Sequence, residues 1–309
     1  MDRPLITGYA CKEGREMHKD IAAMSRTLDP SKAGTPQRDY PTMILFGLIV
    51  IATIIALPVY AYYYDFTWVD WTMFVSLYMI TGLGITVGYH RLFTHRSFKC
   101  PNWVRFAFLI AGGMALENSA LRWCGDHIRH HARCDTEEDP YNAKLGFWHS
   151  HCGWIFWKDP NRDPKYQTRL LQDPMIVWQD RHYLPIVLTG LFLPFFVGLL
   201  YNGWIGGIGC FLLAGLARTF FVLNSTFFIN SICHIWGHQP HGTSNSSRDS
   251  WWISLLTFGE GYHNYHHMYQ GDYRNGVRWY NFDPSKWLIW TLSKLGMAYD
   301  LRRQADNQT

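Results

Sequence analysis

Two short segments of the sequence carry histidines with the same spacing. Residues 127–131 read HIRHH and residues 263–267 read HNYHH, so in each a histidine is followed three and four residues later by two more. Positions i, i+3 and i+4 lie on one face of a helix, which lets each segment direct three imidazole nitrogens towards one point. Neutral imidazole is a ligand for zinc, copper, nickel and iron alike. The repeated spacing therefore predicts a metal site with more ligands than one ion accepts.

Further histidines follow two apolar segments. The segment HRLFTH carries His90 and His95, which lie about 140° apart on an ideal helix and converge only if the helix ends or distorts between them. His234 ends the segment NSICH, with Asn230 one turn earlier on the same face. Nine imidazoles packed together as cations would repel one another, whereas as neutral ligands they suit two ions. The predicted ligands are His90, His95, His127, His130, His131, His234, His263, His266 and His267.

The other potential ligands are predicted to take no part in this site. No Asp or Glu recurs beside all the histidine clusters, which disfavours the carboxylate-bridged di-iron site of four-helix bundles. Seven cysteines are scattered without a CxxC pair, as expected for reduced thiols in a cytoplasmic setting. The histidines predicted not to be ligands are His18, His149, His151, His182, His238 and His241.

Long apolar segments must hold these histidines in place. The mean hydropathy of −0.14 is that of a soluble protein, but apolar residues are strongly segregated along the 309 residues. A bilayer core needs about 20 mostly apolar residues per helix. The predicted crossings are residues 42–64, 66–89, 184–201 and 204–232, the last of which contains Arg218. We therefore predict an all-α integral membrane protein with four transmembrane helices in two hairpins.

The distribution of charge predicts the orientation of these hairpins. Neither short hairpin turn contains Lys or Arg, so the positive-inside rule places both termini and all 15 histidines on the cytoplasmic side. A helical cytoplasmic cap is expected from residues 90–183 and 233–301, within a membrane domain that spans 41–301. A cytoplasmic arm (1–40) and a polar tail (302–309) flank this domain. The net charge of +4 indicates a basic rim over anionic lipid, not a nucleic-acid partner.

Two elements of the cap have clear local signals. Phe106–Leu116 is apolar but too short to span a bilayer, which predicts a helix in the interface or beneath the cap. In Asp283-Pro284-Ser285, Asp283 is the predicted N-cap of a last helix and Pro284 its first residue.

The motifs HRLFTH, HIRHH and HNYHH, together with NSICH, DTEEDP, SHCGW and GEGYH, resemble those of the membrane-bound fatty acid desaturases. The resemblance covers about Pro41 to Leu301 and is strongest to the acyl-CoA Δ9 (stearoyl-CoA type) branch, as a bacterial member. It implies two iron ions, O2 as co-substrate, and a cis double bond, at Δ9, in a saturated long-chain acyl-CoA or acyl lipid. It also implies an inner-membrane location and a separate electron donor of the cytochrome b5, ferredoxin or rubredoxin type with its reductase, since no haem-binding HPGG segment is present.

The resemblance further implies how the ligands divide between the irons, with no catalytic residue beyond them. Asn230 would hold a water on one of them. The first iron would bind His90, His95, His127, His131 and His267. The second, which carries the water held by Asn230, would bind His130, His234, His263 and His266.

Substrate residues are implied in the same way. Trp123 and Thr226 would line the bend of an acyl tunnel, with Glu117 where the animal enzymes carry Gln. Tyr78 and Gly82 are candidates for its closed end, although ordinary helix packing explains them equally well.

The headgroup region matches the family only partly. Asn118, Asp126 and Lys158 match, whereas Gly125, Leu145 and Asp159 replace cations of the animal acyl-CoA enzymes. Because the phosphates of CoA favour Arg and Lys partners, acyl-phospholipid and acyl-carrier-protein substrates stay open.

Two other functions are compatible with a histidine-rich membrane site. The first is a di-iron hydroxylase acting on alkane or lipid chains; the HRLFTH spacing, the NSICH segment and the four predicted crossings favour the desaturase. The second is a non-catalytic metal transporter or sensor. That function is disfavoured because transport sites place ionisable residues inside the membrane helices, whereas these histidines lie beyond the predicted helix ends.

Overall fold

The computed structural model describes residues 37–159 and 164–304. Within these ranges all regular secondary structure is helical, and β-pairing is limited to isolated bridges. Most of the predicted arm, with His18, and the end of the predicted tail lie outside the described residues. The helices are α1 (Tyr40–Tyr63), α2 (Trp68–Thr94), α3 (Asn102–Gly113), α4 (Ala120–Arg133), α5 (Phe147–His151), α6 (Thr168–Leu171), α7 (Pro174–Arg181), α8 (Tyr183–Ile235), α9 (Trp251–Ser254), α10 (His263–Met268) and α11 (Pro284–Lys294).

In the described ranges, three helices are long and apolar enough to cross a membrane: α1, α2 and α8. Local capping sets where the first two begin. The Asp39 side chain accepts a hydrogen bond from the Thr42 N–H, and Thr67 and Asp70 form a capping box at the start of α2. The predicted all-helical class is confirmed. The second predicted segment ends at Tyr89, whereas α2 continues to Thr94, and its last 11 residues are π-helical.

Helix α8 is folded into a hairpin. Its backbone leaves helical geometry at Asn202 (φ −140°) and Gly203 (φ 61°), and the second value lies in the left-handed region that glycine adopts at little cost. The two halves then pack closely, since a Cβ on Gly198 would lie 2.2 Å from the carbonyl oxygen of Gly206. The turn falls between the two segments that the sequence predicts, 184–201 and 204–232.

A hydrophobic core connects the end of α2 to the helices above it. Leu109 of α3, Cys124 of α4 and Ile289 of α11 have no exposed surface and belong to one cluster with residues of α2. Helices α2 and α3 approach so closely that a Cβ on Gly84 would lie 2.5 Å from the Gly112 nitrogen. The core therefore fixes the direction in which the ends of α2 and α4 point.

Both local predictions for the cap are confirmed as helices. The apolar segment near residue 106 lies mostly in α3, which begins at Asn102 and ends at Gly113. The Asp283 side chain caps α11 by accepting a hydrogen bond from the Lys286 N–H (2.8 Å), and Pro284 is the first helical residue.

A buried cation ties the α8 hairpin to α3. The guanidinium of Arg218, fully buried, donates to the carbonyl oxygens of Ala214 (3.2 Å), Met114 (3.0 Å) and Gly190 (2.8 Å). These acceptors belong to both halves of α8 and to the C-terminal cap of α3. Arg218 thus fixes the backbone at Met114, where the chain leaves α3.

We expect Arg218→Met to lower the melting temperature of the detergent-solubilised protein, measured by intrinsic fluorescence. The substitution keeps side-chain length but removes the donor from three buried carbonyl groups, each at a cost of roughly 1–3 kcal/mol. Arg278→Met, at an exposed site, is the control and should melt like the wild type. Equal melting of all three proteins would show that Arg218 does not stabilise the hairpin.

Candidate metal centre

The end of α2 brings two histidines together through a change of helix type. Residues Gly84–Thr94 form a π-helix, and the His95 N–H donates to the His90 carbonyl oxygen (3.1 Å). Hydrogen bonds between residues five apart place such residues on the same side of the helix. The two rings lie 4.8 Å apart between centroids. The distortion that the sequence required for their convergence is therefore present.

The triplet on α4 splits between two directions. Helix α4 is capped by Ser119 and carries its histidines near its C-terminus. The Nε2 atoms of His127 and His131 lie 3.0 Å apart, whereas the Nε2 of His130 faces that of His267 at 3.3 Å. The i and i+4 residues stay together because they are only about 40° apart around the helix axis.

The triplet on α10 behaves in the same way. The Nε2 atoms of His263 and His267 lie 3.1 Å apart, and His266 turns away to lie 3.0 Å from both His90 and His131. The expectation that each triplet directs all three nitrogens to one point is therefore wrong. In each, the i+3 histidine crosses to the other group.

Two groups of ligand atoms result, and within each group they lie within 4.8 Å of one another. The five-histidine centre consists of His90, His95, His127, His131 and His266. The four-histidine centre consists of His130, His234, His263 and His267.

This grouping corrects the division implied by the family resemblance for one pair of residues. His266 belongs with the five-histidine centre and His267 with the four-histidine centre, the reverse of the expectation. The reason is the short helix α10. Its i, i+4 pair, His263 and His267, shares one face, so His266, about 100° from His267, points to the other centre.

The donor set fits metal ions. Burial, and then the neighbouring imidazoles, hold the pKa of His127, His263 and His266 well below the usual value, so these rings are neutral. A neutral ring that donates through Nδ1 presents a lone pair at Nε2. The Nε2 of His266 faces two other Nε2 atoms at 3.0 Å, and a single N–H can serve only one of them, so lone pairs converge on one point. Each centre therefore has the character of a metal site.

Three rings are oriented by hydrogen bonds at the opposite nitrogen. The Nδ1 of His90 lies 3.0 Å from Glu260, that of His130 lies 2.8 Å from Asp139, and that of His234 lies 2.8 Å from Ser246. Such partners fix the tautomer and raise ligand basicity. The sequence analysis missed them, although GEGYH contains Glu260 and DTEEDP contains Asp139.

A buried ion-pair network neutralises one of these carboxylates. Arg91 donates to Glu260 (2.8 Å) and to Asp283 (2.9 Å), and the Asn275 amide donates to Glu260 (2.6 Å). Although burial alone would raise it, the pKa of Glu260 is lowered by Arg91 and then by His90. Glu260 therefore stays ionised between a ligand and a cation. The helix cap Asp283 thus also belongs to the support of the metal site.

Cys134 lies at the edge of the four-histidine centre, close to His130 and Asp139. Burial, followed by the neighbouring Asp135 and Asp139, raises the pKa of the Cys134 thiol, which keeps the sulfur protonated. Asp139 already faces the His130 Nδ1. That no cysteine is a ligand stays a prediction, because the sulfur of Cys134 lies within 4.8 Å of ligand atoms of His130 and Asp139.

The histidines predicted not to be ligands lie outside both groups where the structure describes them. The ring nitrogens of His151 lie 3.1 Å from Ser231 and from Asn224, and that of His241 lies 3.6 Å from Asp249. His182 faces the Trp178 carbonyl oxygen at 2.8 Å.

A main cavity of about 860 Å³ reaches both centres. His90 and His127 of the five-histidine centre and His263 of the four-histidine centre line it. Its buried lining includes the apolar Ile49 and Ile85. Exposed charged residues, among them Lys158, Asp159 and Glu138, mark its mouth.

Most residues predicted to contact substrate meet at this cavity. Six of the eight predicted substrate residues line it: Asn118, Glu117, Trp123, Asp126, Lys158 and Thr226. Asn230, predicted to hold a metal-bound water, lines it as well. Tyr78 and Gly82 are not part of the described lining. Tyr78 packs on Phe258 with 5.2 Å between ring centroids, and a Cβ on Gly82 would lie 2.3 Å from the same ring.

Glu117 is a neutral acid within the cavity wall. Thr226 Oγ1 lies 2.8 Å from one carboxyl oxygen and Trp123 Nε1 donates to the other (3.1 Å). Burial raises the pKa of Glu117 to about 8. The Thr226 hydroxyl and the Trp123 indole N–H each donate to one oxygen of this carboxyl.

An ion pair that the sequence did not predict lies at the mouth. Arg129, which also lines the cavity, pairs with Asp159. Asp159 stands where the resemblance implies a cation, and it also neutralises the neighbouring Arg129.

A helical membrane protein with two histidine centres beside a deep cavity belongs to the class of histidine-rich membrane metal-site proteins. The sequence model described as fatty acid desaturase matches residues 66–302, and the chain belongs to that family.

Its relatives include both acyl-CoA and acyl-lipid desaturases. A probable acyl-CoA desaturase of Schizosaccharomyces pombe is 42% identical over 272 residues, covering 86% of this chain and 55% of the relative. The sn-1 stearoyl-lipid 9-desaturase of Synechocystis is 37% identical over 267 residues (84% and 80%). The sn-2 palmitoyl-lipid 9-desaturase of Nostoc is 34% identical over 277 residues (87% and 92%). The chain spans about half the length of the fungal relatives.

The grouping of ligands makes a prediction about metal retention. His90→Ala/His266→Ala removes two ligands from one centre, so after a chelator wash about one ion per chain should remain in the intact four-histidine centre. His90→Ala/His267→Ala weakens both centres and should retain less. Metal content is measured by mass spectrometry, with His182→Ala as the control that keeps the wild-type content. Equal retention by the two double variants would contradict the grouping.

The neutral state of Glu117 makes a second prediction. Its folded-state pKa is raised above the ordinary value, so its contribution to stability is complete at low pH and is lost as pH rises through about 8. The melting temperature of the wild type should therefore fall between about pH 5 and about pH 8 more steeply than that of Glu117→Gln, and the two curves should run parallel above that range. Glu138→Gln, an exposed carboxyl at the same cavity, should follow the wild type. Parallel curves for all three proteins would mean that Glu117 is ionised throughout.

Proposed function

We propose that the chain is an O2-dependent fatty acyl desaturase that introduces a cis double bond, at Δ9, into a saturated long-chain acyl substrate. The observation that carries this proposal is that ligands of both histidine centres line one cavity whose buried wall is apolar. In the reaction, two neighbouring methylenes lose two hydrogens, and O2 takes these and two further electrons and protons to become two waters.

The histidine centres suit this chemistry. Two iron ions held by the nine histidines would supply the O2-derived oxidant that removes hydrogen from an unactivated methylene. Glu260 and Asp139 would keep His90 and His130 in the ligand tautomer, and Asn230, buried one turn before His234 on α8, would order a water at the four-histidine centre. No catalytic residue beyond the ligands is proposed.

The cavity wall positions the acyl chain. A saturated chain has no polar handle near its middle, so the site of reaction must be measured from its headgroup end. We assign the bend beside the metals to Trp123, Thr226 and Glu117, which are joined by hydrogen bonds. Tyr78 and Gly82 both lie against the Phe258 ring and would limit the closed end of the cavity by holding that ring in place. Gly82 lies one turn before Ile85, which lines the cavity.

The headgroup would bind at the mouth, beside Asn118, Asp126 and Lys158. The ion pair between Arg129 and Asp159 leaves this mouth with few cations for the phosphates of CoA. Relatives named for acyl-CoA and for acyl lipids are similar to the chain at comparable levels. Both acyl-CoA and acyl-lipid substrates are therefore proposed.

The proposed topology has four crossings in two hairpins, with both termini and the cap (residues 90–183 and 233–301) on the cytoplasmic side of a bacterial inner membrane. The turn at Asn202 and Gly203 supports the second hairpin. Electrons would come from a separate cytochrome b5, ferredoxin or rubredoxin with its reductase, acting on the cytoplasmic side.

The proposal predicts a new cis monoene in a desaturase-free bacterial host that expresses the chain. Total fatty acids are analysed by gas chromatography and mass spectrometry after derivatisation of double bonds, with His266→Ala as the inactive variant and His182→Ala as the active control. The wild type should make a Δ9 product that His266→Ala lacks, because that variant loses a ligand but no membrane-spanning surface.

The same experiment separates the alternatives. A hydroxylated chain in place of the alkene would establish the hydroxylase instead. With purified protein, chemical reductant and defined substrates, product from acyl-CoA or from acyl-phospholipid identifies the headgroup. A metal-loaded wild type that converts neither would contradict the proposed function.

A further inference from the structure

A second cleft reaches the five-histidine centre from a different side than the main cavity. It has a volume of about 470 Å³ and shares none of its lining residues with the main cavity. We name it the basic cleft. Its lining consists of Thr94, His95, Ile128, His131, Lys165, Tyr166, Arg169, Gln270 and Gly271.

The basic cleft is the place where the metal ligands come closest to the protein surface. His95 and His131, which line it, are the two partly exposed residues among the nine ligands; the other seven are buried. Electron transfer weakens steeply with distance, so a donor protein gains most by docking where ligands are near the surface. The main cavity offers no such place while an acyl chain fills it.

The cleft also has a consistent charge. Its charged lining residues are Lys165 and Arg169, both exposed, and none of the described residues that line it is acidic. The guanidinium of Arg169 donates to the carbonyl oxygens of Phe93 (3.0 Å) and Thr94 (2.8 Å), which fixes a cation beside the end of α2. The exposed Arg96, which follows His95 directly in the chain, adds a further cation at this end of α2.

We propose that the basic cleft is the docking surface for an acidic electron-carrier protein. The inference rests on the proposed function, in which each double bond requires two electrons from outside the chain. The donor would place its redox group over His95 and His131 while the acyl chain occupies the main cavity, so that neither excludes the other. Opposite charges on the two surfaces would speed their association and make it sensitive to salt.

Binding of an acidic [2Fe–2S] ferredoxin to the purified, metal-loaded protein tests this directly. Lys165→Glu reverses one charge at an exposed position of the cleft. Its Kd for ferredoxin at low ionic strength should rise about tenfold, and the dependence of Kd on salt should weaken. Gln270→Lys adds a cation to the same cleft and should lower Kd. Lys294→Glu, at an exposed cation outside both the cleft and the main cavity, should bind like the wild type.

Product formation distinguishes docking from other effects. With ferredoxin, its reductase and NADPH, the ferredoxin KM of Lys165→Glu should rise in parallel with Kd, while turnover driven by dithionite and methyl viologen stays at the wild-type level. An unchanged Kd and KM would overturn the proposal. A loss of mediator-driven turnover would also overturn it, because Lys165 would then act on the centre itself. So would ferredoxin-driven turnover that, in lipid vesicles, changes only with their anionic-lipid content. A wild type that forms no product with the mediator would instead contradict the proposed function.

Discussion

The close packing of nine imidazoles is the constraint on which the rest of the structure depends. Their Nε2 atoms face one another at 3.0–3.3 Å, too close for nine cationic rings, and a single N–H cannot serve both neighbours of a nitrogen such as that of His266. Each ring must be turned the right way and held there. Burial lowers the pKa of seven of these rings, and the buried carboxylates Glu260 and Asp139 orient the other two. Arg91 offsets the cost of burying Glu260, because an unpaired carboxylate at that depth would be strongly destabilising.

The apolar helices serve this arrangement by fixing where each histidine leaves the backbone. The π-helical end of α2 brings His90 and His95 to one side, and the close contact of Gly84 with α3 holds that end in place. The Arg218 hydrogen bonds set the exit from α3 and hence the segment that carries Glu117. As a result, the main cavity and the basic cleft approach the metal centres from separate sides.

Much of this could be predicted from the sequence, because the signals are local. Helical spacing identified six of the nine histidines, and the other three were found because they follow long apolar segments. Those segments also identified the helices apolar enough to cross a membrane, and Asp283-Pro284 identified the start of α11. The division of His266 and His267 was wrong because it depends on the orientation of a short helix, which no pattern within HNYHH specifies. Glu260 and Asp139 were missed because the His–carboxylate contacts join residues 170 and 9 positions apart, with no recurring spacing.

The most direct test of the account is iron K-edge X-ray absorption on the purified, iron-loaded wild type, with metal content measured on the same sample. The account predicts about two iron ions per chain, each with a first shell of light atoms dominated by imidazole nitrogen. A sulfur scatterer would place Cys134 in the first shell, and a single ion per chain would leave one histidine group without a role. Either result would contradict the assignment of two centres built from histidine.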